Sequence, residues 1–325
     1  QPVERNKALN GSLFEDVTLA SGIQHIGHGK CTALADFDKD GDLDLYLGVV
    51  YGRNKFYQNQ GSLRFVDISE PTGTNNEYDT HGAVFADFDN NGLIDLFVAN
   101  NVEAASERRG IMKQPNALYI MSGEGTFVDM AVSAGVAGHV DNFSCGVTTA
   151  DVNGDGFLDL YVAKGGYRSG ALCANSLFIN TGKAVFTDIA KQAGVADEGN
   201  GYCCAFGDYD NDGDPDLYIG SLNEFEQPVT RRLYRNDGNL TFTDVTETLG
   251  LVAIGYNVSC FWGDIDNDGD LDLFLANSTG RGAAAAPGLA KNTLLRNNGD
   301  GTFTDISLES GVDIATNSRG CAMGD

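Results

Sequence analysis

One nine-residue segment recurs five times in this chain and constrains what it can fold into. The copies align without gaps: Asp36–Asp44 (DFDKDGDLD), Asp87–Asp95 (DFDNNGLID), Asp151–Asp159 (DVNGDGFLD), Asp208–Asp216 (DYDNDGDPD) and Asp264–Asp272 (DIDNDGDLD). Their starts lie 51, 64, 57 and 56 residues apart. A period in this range marks a repeat architecture, whose units bury their apolar faces only against each other. Small and apolar residues precede each copy, as in TALA and CCAFG, and an alternating apolar run follows it, as in LYLGV and LFVAN. A second block then reads as two strands joined by a Gly- or Asn-containing turn, as in NSLFINTGKAVFTDI and RRLYRNDGNLTFTDV. One unit is therefore strand, acidic loop, strand, link, strand, turn, strand, which is the content of a propeller blade. A β-sandwich carrying similar loops does not account for so regular a period.

The expected fold is all-β: a β-propeller of four-stranded antiparallel blades, with five full blades in a single domain over residues 1–325. Blades are expected to begin near residues 31, 82, 145, 203, 259 and 320. Residues 13–18 (LFEDVT) match only the last strand of a unit and are expected to close the last blade. Residues 320–325 (GCAMGD) match only a first strand, so the propeller is expected to be incomplete at its C-terminus and seven-bladed when whole.

The loops have the donor chemistry of calcium sites. Calcium takes about six to eight oxygen ligands, and a loop of the form DxDxDGxxD offers carboxylates at positions 1, 3, 5 and 9 and a carbonyl at position 7. Glycine at position 6 permits the sharp turn. The first loop offers Asp36, Asp38, Asp40 and Asp44 with the Asp42 carbonyl. The fourth offers Asp208, Asp210, Asp212 and Asp216 with the Asp214 carbonyl, and the fifth Asp264, Asp266, Asp268 and Asp272 with that of Asp270. The second has Asp87, Asp89, Asn91 and Asp95 with Leu93 at position 7; the third has Asp151, Asn153, Asp155 and Asp159 with Phe157. These two each lose a charge and are expected to bind more weakly. No glutamate stands at position 12, which separates the motif from an EF-hand. Carboxylates converging without a cation would repel one another. The expectation is about five structural calcium ions, filled at extracellular calcium levels.

Charge follows from the loops. The net charge is −25 and the five loops hold nearly half of the 46 acidic residues. Such a surface disfavours nucleic acid and anionic membranes. No stretch reaches the roughly 18 apolar residues of a membrane span. Sequons at Asn10, Asn142, Asn239, Asn257 and Asn277 are candidate N-glycosylation sites.

The repeats resemble the FG-GAP/VCBS family of propeller repeats, seen in the head of integrin α-subunits. The fuller pattern of FxDVT, then AGV or SGI, then GDxDNDGDLDL, is similar to the secreted cartilage-acidic-protein and UnbV type. The resemblance implies a calcium-stabilised extracellular propeller and says little about its partner.

The face away from the acidic loops is where a partner is expected. The loops join strands 1 and 2, so they share a face with the 3–4 turns. The long 2–3 links, residues 100–115, 164–174, 221–231 and 277–291, fall on the other face with the 4–1 links. Variable loops on a rigid scaffold commonly carry binding. Basic residues gather there, including Arg53, Lys55, Arg108, Arg109, Lys113, Lys164, Arg168, Arg231, Arg232, Arg281 and Lys291. All four histidines, His25, His28, His81 and His139, fall in 4–1 links. Together they suggest a face for an acidic glycan or protein carboxylate, or a second metal site. Cys31, Cys145, Cys203, Cys204, Cys260 and Cys321 fall four to six residues before a loop, on inner strands that demand small residues; disulfides between neighbouring strands, or from Cys173, stay open. Phe65, Phe127, Phe186, Phe242 and Phe303 recur once per unit and read as inter-blade core. The functional readings are an extracellular adhesion or assembly module, a carbohydrate-binding propeller, and, third, a sugar-active enzyme of the polysaccharide-lyase type using the His/Arg loop face.

Overall fold

The computed structural model describes residues 16–101, 115–123, 125–138, 143–165, 173–198, 201–221, 231–251, 256–278, 291–314 and 318–322. They form five four-stranded antiparallel sheets, each with its strands in chain order from one edge to the other. The first blade comprises His28–Ala35, Asp44–Val50, Lys55–Asn59 and Phe65–Asp67. The first strands of the other four are Asp79–Ala86, Ser144–Ala150, Gly201–Gly207 and Tyr256–Gly263. Neighbouring first strands contact each other, which places them innermost around an axis. The all-β, five-blade propeller expected from the repeats is the architecture found.

Small residues let the inner strands close in. A β-carbon at Gly82 would lie 2.4 Å from the Cys145 carbonyl oxygen, and one at Gly146 would lie 2.8 Å from the Cys203 Cα. Cys31, Cys203 and Ser259 stand at the same position, five residues before their loops, in the other blades. Residues 318–322 run beside the fifth blade without strand pairing, and the Cys321 N–H donates to Ser259 Oγ at 3.3 Å.

The apolar cores lie between blades. One cluster joins blades 1 and 2 through Phe37, Tyr46, Phe56, Leu96, Met121 and Phe127. Further clusters join blades 2 and 3, 3 and 4, and 4 and 5. Phe127, Phe186 and Phe242 are buried in these clusters, and Phe303 packs against the last. Each faces the preceding blade, as the once-per-unit spacing implied, whereas Phe65 of the first blade is only half-buried and joins none of these clusters. Burying such a ring contributes about 1.5–3 kcal/mol.

The links after the fourth strands hold one-turn helices that the strand pattern did not reveal, for example Ser69–Thr72 and Ala190–Ala193. Their repeated AG or TG ends are left-handed caps: Gly73 has φ 75° and Gly194 φ 83°. Thr18–Ser21 forms the same turn ahead of the first blade. Within the segment 13–18, residues 13–15 lie outside the described residues.

Candidate calcium loops and axial cavity

The five acidic loops share one construction. The position-1 carboxylate accepts backbone N–H groups from positions 5 and 6: Asp36 from Asp40 and Gly41, Asp208 from Asp212 and Gly213, both at 2.9–3.1 Å. The side chain at position 5 accepts from the N–H of position 7, as Asp212 does from Asp214 at 2.9 Å. Position 4 is left-handed in the loops that carry Lys39, Asn90, Asn211 and Asn267 there, at φ 54–62°. These turns aim the odd-numbered side chains inward.

The position-9 carboxylate has a structural duty that sequence reading gave only to metal. Asp44, Asp95, Asp159, Asp216 and Asp272 are buried at 0–1% exposure. In each, one oxygen accepts the N–H of position 2 and the other the N–H that ends the third strand. For Asp216 these are Tyr209 at 3.0 Å and Asn236 at 2.8 Å. The loop is thereby fixed to the blade. Burial, reinforced by Asp38 and Asp40, pushes Asp44 up to about 6, and Asp216 rises to about 7 by burial with Asp210 and Asp212 adding to it. Asp95 and Asp159 are likewise pushed to about 6, by burial first and neighbouring loop carboxylates after.

The donor set fits a hard divalent cation. Carboxylate oxygens lie within 4.8 Å of one another in Asp36, Asp38 and Asp40; in Asp87, Asp89 and Asp95; in Asp208, Asp210 and Asp216; and in Asp264, Asp266 and Asp272. Asp38 Oδ1 is buried without a hydrogen-bond partner, while its other oxygen accepts from Gln58. An orphaned carboxylate oxygen facing like charges is what a cation would satisfy. The third loop, with Asn153, gathers no such trio. The 3–4 turns share this face, since a β-carbon at Gly61 or Gly238 would lie 3.4 Å from an Asp42 or Asp214 carboxylate oxygen.

An asparagine staple ties the second, third and fourth loops each to the next blade. Asn180 is fully buried; its Nδ2 donates to the Phe88 carbonyl of the preceding blade at 2.7 Å and to Leu158 at 3.2 Å. Asn236 reaches Val152 at 3.0 Å and Asn297 reaches Tyr209 at 2.7 Å in the same way. Their Oδ1 atoms accept Gly182, Gly238 and Gly299. The carbonyls they hold belong to position 2 of the neighbouring acidic loop. In the first blade Asn59 donates to Leu43 of its own blade, and in the second Met121 takes the place of the asparagine. The sequence presented these asparagines as turn formers.

The other end of the axis holds a cavity of about 780 Å³. His28 and His81 line it, as do Cys31, Cys145, Cys203 and Cys260. His81 Nδ1 lies 4.0 Å from Cys145 Sγ, and His28 packs edge-on to Tyr51 with centroids 5.6 Å apart. Among the described residues no histidine or cysteine joins a group of three metal-ligating side chains. His25 lies in an adjoining recess with Arg53 and Lys55, and burial followed by the Lys55 charge lowers its pKa.

The remaining sequence candidates scatter. Arg231 is buried at 4% exposure, and Arg232 pairs with Asp244 at 3.1 Å; neither lines the cavity. His139, Arg108, Arg109, Lys113, Arg168, Arg281, Asn10 and Asn142 lie outside the described residues. Asn239 is exposed on a 3–4 turn. Asn257 and Asn277 are fully buried, with Asn257 Nδ2 donating to Asn277 Oδ1 and Asn277 Nδ2 to the Lys291 carbonyl. In the folded chain both asparagines are structural, their amides tied into buried hydrogen bonds. Cys31, Cys203, Cys204, Cys260 and Cys321 carry free thiols. Among the described residues no helix is long and apolar enough to cross a membrane.

Comparison with known proteins gives the same repeat. The FG-GAP-like repeat matches residues 36–98, 104–162, 165–219 and 227–275, most of the chain. Cartilage acidic protein 1 of Mus musculus is 28% identical over 160 residues, covering 48% of this chain and 24% of that protein. The Homo sapiens protein is 28% identical over 156 residues, covering 47% and 23%. The chain thus spans about a quarter of the length of the curated relatives it matches. The V. cholerae biofilm matrix protein Bap1 aligns over 86% of this chain and 39% of its own, with 14% identity and a TM-score of 0.45. By its repeats, its loops and its blades, the chain belongs to the FG-GAP-like repeat family.

Proposed function

We propose that this chain is an extracellular, calcium-stabilised interaction module for adhesion or assembly. The observation that carries the reading is the set of acidic loops gathered on one face, with the orphaned oxygen of Asp38 among them. Loops of this kind fill at about 0.1–1 mM calcium, a level found outside cells. Calcium here binds and stiffens. It neutralises converging carboxylates and fixes the hairpin between strands 1 and 2, and the asparagine staples pass that order to the next blade. The opposite face, with its links and axial cavity, is left to meet a protein or glycan partner. Similarity to cartilage acidic protein 1 supports an extracellular setting.

The test is retention of the purified chain on decellularised extracellular matrix, in calcium and after chelation. Retention in calcium that disappears with EGTA and returns on re-addition is expected. A folded, calcium-loaded chain that matrix does not retain overturns the reading.

A further inference from the structure

The axial cavity has a charge opposite to that of the molecule around it. The chain carries 46 aspartates and glutamates and a net charge of −25, yet none of the described lining residues is acidic. The lining carries Lys30 and Arg319 as well as His28 and His81. Lys30 and Arg319 are both exposed, and Lys30 Nζ stands 5.6 Å from the centre of the Tyr202 ring. Tyr51 and Tyr202 supply aromatic walls. A volume of about 780 Å³ lies within the roughly 300–1,000 Å³ of small-molecule sites. A concave site of one sign inside a field of the other concentrates counter-charged ligands.

We propose that this cavity binds a carboxylate-bearing sugar unit, a uronate. Lys30 and Arg319 take the carboxylate through charge-assisted hydrogen bonds. The tyrosine faces take the apolar side of the sugar ring, and the imidazoles of His28 and His81 exchange hydrogen bonds with its hydroxyls. The calcium loops stay at the far end, so the ligand does not compete for them. The proposal rests on the interaction reading above and narrows it to one ligand chemistry.

The experiment is saturation-transfer NMR and calorimetry on the full chain in calcium, with glucuronate, glucose and inorganic sulfate as probes. Glucuronate is expected to bind at least tenfold more tightly than glucose or sulfate. Lys30→Ala and Arg319→Ala each weaken glucuronate about tenfold or more, the scale of one lost charge-assisted contact. Lys291→Ala, which breaks an exposed pair with Asp313 outside the cavity, leaves binding unchanged. Circular dichroism establishes that each variant is folded. Equal binding of glucose, equal binding of sulfate, or insensitivity to both cavity substitutions overturns the proposal. Matrix retention is measured on the same samples. Retention without uronate binding removes this inference and leaves the interaction reading standing, whereas uronate binding without retention does the reverse.

Discussion

Calcium removal is the most direct test of the proposed sites, and the expected size of its effect follows from the loops. A ligand that binds only the folded state stabilises it by RT ln(1 + [L]/Kd). For Kd values of about 0.1–1 mM and about 2 mM free calcium, each site contributes about 0.6–1.8 kcal/mol. Five sites together contribute about 3–9 kcal/mol, a large share of the roughly 5–15 kcal/mol typical of a domain. The loops containing Asn91 and Asn153 belong at the low end. The assay is urea unfolding followed by far-UV circular dichroism, in calcium and in EDTA at matched ionic strength. A single substitution sharpens it. Burial raises the Asp210 pKa, and Asp212 and Asp208 raise it further, so its charge is opposed in the metal-free loop. Asp210→Asn is therefore expected to remove one site's share of the calcium increment while costing little in EDTA. A calcium increment below about 1 kcal/mol, or equal stabilisation by magnesium, refutes the reasoning.

Other expectations are as concrete. Asn180→Ala removes two donated bonds and one accepted bond at full burial and is expected to cost about 2–3 kcal/mol in urea unfolding. Asn59→Ala, whose side chain donates within its own blade, costs less; equal losses refute the staple. Gly146→Ala sets a β-carbon 2.8 Å from the Cys203 Cα and costs about 2 kcal/mol or more, whereas Gly123→Ala, with nothing within 4 Å, changes stability by less than about 0.5 kcal/mol. The pH response reverses with metal. Four of the position-9 carboxylates, Asp44, Asp95, Asp159 and Asp216, have folded pKa values of about 6–7 against 3.8 unfolded, so in EDTA their favourable contribution is complete below pH 4 and is lost as pH rises through 6–7. In calcium, protons compete for the same groups, so the calcium-induced rise in Tm shrinks between pH 7.5 and 5.5. A calcium effect on Tm constant over that window contradicts this.

The architecture was legible because it is written in spacing. Five copies of one loop, and Phe127, Phe186 and Phe242 recurring once per unit after them, placed the blades and their buried seams. What sequence hid was contact between residues far apart in the chain. Asn180 and Phe88 belong to different blades, and an asparagine two residues before a glycine looks like an ordinary turn. Lys30 and Arg319 come from opposite ends of the chain and meet only at the axis. Arg231 and Asn277 misled for the converse reason: a polar letter in a link implies exposure, yet local backbone folding buried both.

The missing staple at Met121 has a mechanical consequence. Blades 2 to 5 are joined by hydrogen bonds from a buried amide, short-ranged and brittle under load. At its loop end the first seam relies instead on rings and a thioether, including the Phe37–Phe127 and Phe56–Phe127 contacts, and its hydrogen bonds, such as Asn54 Nδ2 to Thr80 Oγ1 at 2.7 Å, lie toward the other end. Apolar contacts slide and yield gradually where directional bonds snap. A chain pulled between two anchored surfaces would open first at the loop end of this boundary, where blade 1 yields gradually while the stapled loops behind it stay rigid.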